Sequence, residues 1–161
     1  MPELTPLDEK LAEVLGLAQA AQDATSKVAK LVEHDEPRRL LERMHEEATE
    51  TRERCEAAID DLEGRKTAIR DKARETKGEA EEMMKTYLSG DDVDGLDGFE
   101  FLVMAEAGEL GHWEIVQEMN REVGDAAIRE LAEFALPIQQ RHFKDAREWS
   151  LKLAREEVAA G

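Results

Sequence analysis

Three short spacings in this chain could do chemistry. Glu42 and His45 form a Glu-x-x-His, Glu109 and His112 form a second, and Gln139 and His142 form a Gln-x-x-His. Residues three apart share a face of a helix, so each pair offers an oxygen and an imidazole nitrogen to one region of space. Such N/O pairs are ligands for Fe, Zn or Mn. A mononuclear site could use Glu109, His112 and His142, with Glu106 one turn away on the same helix. The alternative, which we favour, is that Glu109 hydrogen-bonds His142, satisfying a buried carboxyl and a buried imidazole together. Counted from the turn near Gly124, the two residues differ in height by only ~3 Å. Glu42 falls off the apolar stripe of its helix, and the Glu42–His45 pair reads as solvated.

Other chemistries find no footing. Ser26, Ser89 and Ser150 lack a base and an acid at recognisable spacing, and no glycine-rich phosphate loop follows a strand. The run Ser89–Gly98, rich in Gly and Asp, fails as a calcium loop: counted from Asp92, Leu96, Asp97 and Val103 stand where ligand, glycine and glutamate are required. Cys55 is the one cysteine and lies on an apolar stripe, so it reads as a small core residue. Trp113 and Trp149 have the spacing of packing residues. No enzyme activity is indicated.

The elements that must position these residues are helical. The chain has 161 residues, 4% aromatics and four prolines, which suits one all-α domain. Apolar residues recur at spacings of three and four. The expected elements are helix A over 6–32, helix B over 36–63, a charged helical segment and crossover over 64–98, helix C over 99–123, and helix D over 125–159. Thr5-Pro6 opens A, Asp35 is expected to cap B, Gly124-Asp125 makes the C–D turn, and Pro137 should kink D. Helix C is apolar over a wide arc and should sit centrally or supply a dimer interface. Segment 64–98 has few anchors and should pack less firmly. Two helical hairpins joined by a long crossover are the ferritin-like variant of the four-helix bundle.

A formal charge of −17 repels polyanions at long range, so neither nucleic acid nor an anionic membrane is an expected partner. No targeting or membrane-spanning run stands out, and cytoplasmic residence is the default expectation.

Three runs carry a family resemblance. His45-Glu46-Glu47-Ala48-Thr49 resembles the His-x-Glu-Glu-Thr signature of the YciE/YciF-like bacterial stress proteins, members of the ferritin-like superfamily. Ala20-Ala21-Gln22-Asp23 is similar to that family's Ala-Ala-Glu stretch, and Gly111-His112-Trp113-Glu114-Ile115 to its Glu-His-Tyr-Glu-Ile stretch. The resemblance implies a metal centre with carboxylates from each helix. At those positions this chain has Gln22, Ala48, Gly111 and Gln139, which cannot supply the negative charge of a di-iron site. The expectation is a non-catalytic bundle with a dismantled site and no cofactor, acting as a binding, structural or stress-associated protein. It would be a homodimer or a subunit of a larger assembly. The alternative is a protein or oxidase binding Fe, Zn or Mn at an altered site around Glu106, Glu109, His112 and His142.

Overall fold

Helix starts and stops are written in the side chains that satisfy the end groups. At the first start, Asp8 N–H donates to Thr5 Oγ1 at 3.1 Å while Thr5 N–H donates to the Asp8 carboxylate at 3.0 Å, with Pro6 in the first turn. Asp94 and Asp97 repeat this reciprocal arrangement at 3.1 and 3.0 Å. The Gly/Asp-rich run therefore spends two of its aspartates on starting a helix. Gly124 adopts φ 76°, the left-handed conformation that ends a helix, and Asn120 locks the turn through both its amide and its carbonyl to Asp125.

In a computed structural model describing residues 3–161, these signals delimit five α-helices: α1 (Pro6–Ala29), α2 (Asp35–Asp60), α3 (Lys66–Leu88), α4 (Gly95–Val123) and α5 (Ala126–Ala160). The described residues contain no strand, and the fold is all-α. Among the described residues, no helix is long and apolar enough to cross a membrane.

The helices pack in an ordered circuit. α1 lies against α2 and α4, α5 lies against α4 and α2, and the backbones of the diagonal pairs do not approach closely. Cross-contacts set the directions. Gln22 meets Thr49, Val28 meets Gly98, and Glu47 meets His142, so neighbours in the circuit are antiparallel. α3 stands outside the circuit, against α1 and α4. It begins where Ile69 joins the core with Leu11 and ends where Leu88 packs in the cluster with Val28 and Phe99.

Several boundaries differ from the sequence expectation. Helix A stops at Ala29 and helix B at Asp60. His34, not Asp35, is the N-terminal cap of α2, and it makes no side-chain capping bond. Arg38 in the first turn of α2 donates back to the Val32 carbonyl at 2.8 Å. The crossover is mostly helix: only Ser89–Asp94 separates α3 from α4. α3 is also held more closely than its charge implied. A Cβ on Gly16 would stand 2.5 Å from the Ala73 carbonyl oxygen, so the two backbones approach as only glycine permits. Of the apolar residues on α3, Met83 and Tyr87 are exposed, while Ile69 and Ala73 are buried. α5 continues helically through Pro137, which is exposed.

The core has two apolar clusters. One surrounds Leu11, Leu15, Ile59 and Trp113, the other Val28, Leu41, Met44 and Phe99. The functional candidates lie between them.

Candidate functional site: a buried polar layer

α4 and α5 descend and ascend from the Gly124 turn in step, so residues equidistant from it in sequence share a level. Glu106 pairs in level with His142, and Glu109 with Gln139. All four are buried: Glu106 is 1% exposed, Glu109 3%, Gln139 4% and His142 3%. α2 turns buried Ala48 and Thr51 inward, and α1 turns buried Ala18. None of these seven residues belongs to either apolar cluster. They form a polar layer across the middle of the circuit.

His142 organises the layer. Its Nε2 lies 3.2 Å from Glu47 Oε1 on α2, and its Nδ1 lies 3.7 Å from Glu106 Oε2 on α4. Arg141, the preceding residue, pairs with the other oxygen of Glu47. The order is guanidinium, carboxylate, imidazole, carboxylate. Two buried oxygens remain without a hydrogen-bond partner, Glu106 Oε2 and Gln139 Oε1.

Burial pushes the Glu109 carboxyl up from 4.5 to about 8; the Glu106 charge adds to this push, while Gln139 and His142 act against it. Cys55, one turn beyond Thr51 on α2, is fully buried, and its thiol is pushed well above the ordinary range by burial, then by Glu109 and Glu56. It is an inert core thiol.

The expected Glu109–His142 hydrogen bond is replaced by Glu47–His142, with Glu106 on the other nitrogen. Equal spacing from the turn gives His142 the level of Glu106, and Glu109 falls beside Gln139. His112 leaves the layer altogether. Its Nδ1 is 2.7 Å from the Gly108 carbonyl and its Nε2 is 3.2 Å from Glu13 on α1, at a half-buried position. The set Glu106, Glu109, His112 and His142 is therefore divided, with three residues together and one apart. Glu42 is exposed, and His45 turns instead to α1, where its Nδ1 is 3.0 Å from the Gln22 carbonyl.

The positions read as former ligands scatter likewise. Gln22 donates to Thr49 Oγ1 at 2.8 Å, Ala48 and Gln139 face the layer, and Gly111 lies half-buried on a flank of α4. Glu47 was not singled out from sequence, although it stands inside the His-Glu-Glu-Ala-Thr run. Its place on the edge of the α2 stripe hid its reach toward His142.

Two hard cations need several anionic oxygens converging from all the surrounding helices. Here α1 contributes Ala18 and α2 contributes Ala48 and Thr51, so the residues do not fit a two-metal centre. The imidazole stands between Glu47 and Glu106 on opposite nitrogens, so the three groups lie in a row. Among the described residues, no three His, Cys, Asp or Glu converge as a metal would require. No protein-family model, curated protein or solved structure matches this chain.

Proposed function

We propose that this chain is a ferritin-like four-helix bundle, with α3 as a helical crossover, in which hydrogen-bonded polar groups have taken the place of a metal centre. It acts as a non-catalytic binding protein. The observation that carries the reading is His142 held between Glu47 and Glu106. In this row Nε2 is hydrogen-bonded to Glu47 and the Glu106 carboxylate stands 3.7 Å from Nδ1, beyond hydrogen-bonding distance, whereas a metal site would direct one nitrogen and the carboxylates toward a common point. The hairpin–crossover–hairpin order, the Gln-x-x-His on α5 and the resemblance to YciE/YciF-like stress proteins support the ancestry.

The test is elemental analysis of protein purified without a metal-affinity tag, combined with thermal melting before and after EDTA. Substoichiometric iron, zinc and manganese and an unchanged melting temperature are expected. Equimolar metal that resists dialysis, with a lower melting temperature after chelation, overturns the reading.

One observation favours a second reading. The unpartnered oxygens of Glu106 and Gln139, beside Glu109 and His142, resemble half of a mononuclear oxygen-rich site for Fe, Zn or Mn. Under that reading His142→Ala abolishes metal binding and leaves helicity intact. Under the first it only lowers stability, by about 2–4 kcal/mol, as loss of a buried polar partner does. Self-association belongs to the same proposal: Ile115 and Val123 on α4 are exposed apolar residues available to a second copy, and light scattering on the purified chain tests it.

A further inference from the structure

α3 is closest to α1 near Gly16, which fits against Ala73–Lys77, and it returns to the core at Leu88 beside Val28 and Phe99, while a Cβ on Gly78 between them would meet nothing within 4 Å. A cavity of about 210 Å³ opens between the second half of α3 and the facing stretches of α1 and α4. Its walls are apolar and small, with Ala20 and Ala24 from α1, Ala80 and Met84 from α3, and Met104 and Gly108 from α4. Its polar lining consists of three glutamates (Glu81, Glu106 and Glu109) and His112, with no lysine or arginine. Glu106 and Glu109 belong to the buried polar layer, so the cavity reaches the layer from one side.

We propose that this cavity binds a primary alkylammonium ion, its chain lying between α1, α3 and α4 and its ammonium on Glu106 and Glu109. The charge of the lining decides the sign of the ligand: with no lysine or arginine in it, the Glu81 and Glu106 carboxylates repel a fatty acid, while Glu109, protonated below about pH 8, accepts through its carbonyl oxygen. Burial decides that the ligand is amphipathic. An ammonium group carries three donors, and the buried Glu106 Oε2 accepts from no protein group. Buried charge is tolerated when paired, so the ammonium must come with enough apolar surface to enter. Size decides the length. An apolar cavity of ~150 Å³ takes benzene, so the larger volume here suits a chain of roughly six to eight carbons. An apolar helix from a second copy fits less well, because it would leave Glu106 Oε2 without a hydrogen-bond donor.

This inference names a ligand for the binding role proposed above and rests on the layer being free of metal. The experiment therefore uses full-length protein after EDTA treatment and dialysis, so that failure of ligand binding leaves the elemental analysis standing. Octylamine, a cation at neutral pH, is titrated calorimetrically beside octanol and octanoate. Saturable one-to-one binding is expected for octylamine, at least tenfold weaker binding for octanol, and none for octanoate. Glu106→Gln should weaken octylamine at least tenfold and leave octanol unchanged, whereas Glu109→Gln, which replaces a carboxyl protonated at neutral pH, should have a smaller effect. Gly108→Leu projects a side chain from a position where an added Cβ meets nothing within 4 Å. It should fill the groove and abolish binding without lowering the melting temperature. Equal affinity for octanol, retained binding in Gly108→Leu, or no saturable binding of octylamine at millimolar concentration overturns the proposal. So does a wild-type dimer that Gly108→Leu converts to monomer, since the groove would then be a subunit interface.

Discussion

Glu109 carries the clearest single-residue consequence. Its folded pKa of about 8 lies above its unfolded value of 4.5. A carboxyl raised in this way keeps its proton in the native state while the unfolded chain gives it up. The native state is then penalised progressively as pH rises between those two values. The contribution is whole below pH ~4.5 and gone above pH ~8, with a slope of at most ~1.4 kcal/mol per pH unit. Urea midpoints should fall across this interval in the wild type, and the fall should be markedly shallower in Glu109→Gln. An equal slope in both proteins would place the titrating group elsewhere. Cys55 offers a second measurement. Fully buried and held protonated, it should react with a thiol reagent only at the rate of unfolding, and reaction of native protein within minutes would contradict that assignment. Residue identities in the layer were legible in the sequence: Glu109 and His142 stand at seam positions, Gln139 belongs to the Gln-x-x-His, and Glu106 lies one turn from Glu109. Their partners were not. The difference between Glu109 and Glu106 as neighbour of His142 is one helical turn, which depends on where the Gly124 turn closes, and Glu47 reaches the ring from another hairpin.

At the scale of elements, periodicity located the helices, but their ends and their closeness depended on details that periodicity does not carry. α3 shows why. Its charge and few apolar residues implied loose attachment, yet beside buried Ile69 and Ala73 it is held by a close approach of Gly16 to a backbone carbonyl, which does not enter an apolar count. Gly16→Ala places a Cβ 2.5 Å from the Ala73 oxygen and 2.9 Å from Thr76 Cβ, and a backbone atom cannot rotate away. The variant should lose about 1–3 kcal/mol, the usual cost of overpacking. Amide exchange should rise along α3 before it rises elsewhere. Gly78→Ala, on the same helix where an added Cβ meets nothing within 4 Å, should be neutral or gain up to about 1 kcal/mol from helix propensity. If both variants lost the same amount, the close approach at Gly16 would not be what holds the crossover.

For the whole molecule, the polar layer is the costly feature. It separates two apolar clusters that would otherwise form one continuous core, and it leaves two buried oxygens unpaired. A chain carrying a formal charge of −17 already opposes its own compaction, so a layer of this kind does not serve stability. Replacing buried polar groups by apolar ones of similar volume is often neutral or stabilising by ~1–4 kcal/mol, whereas removing one partner alone is destabilising. The combined variant Glu106→Leu, Glu109→Leu, Gln139→Leu and His142→Leu should therefore melt at or above the wild-type temperature, while His142→Ala melts well below it. Glu47 remains paired with Arg141 in both, so the comparison isolates the layer. A combined variant that is stable, helical and unable to bind octylamine would assign the layer to ligand recognition. One that unfolds would instead make the layer a device that fixes the register of α4 against α5, which is the strongest structural alternative to a binding role for these buried carboxylates.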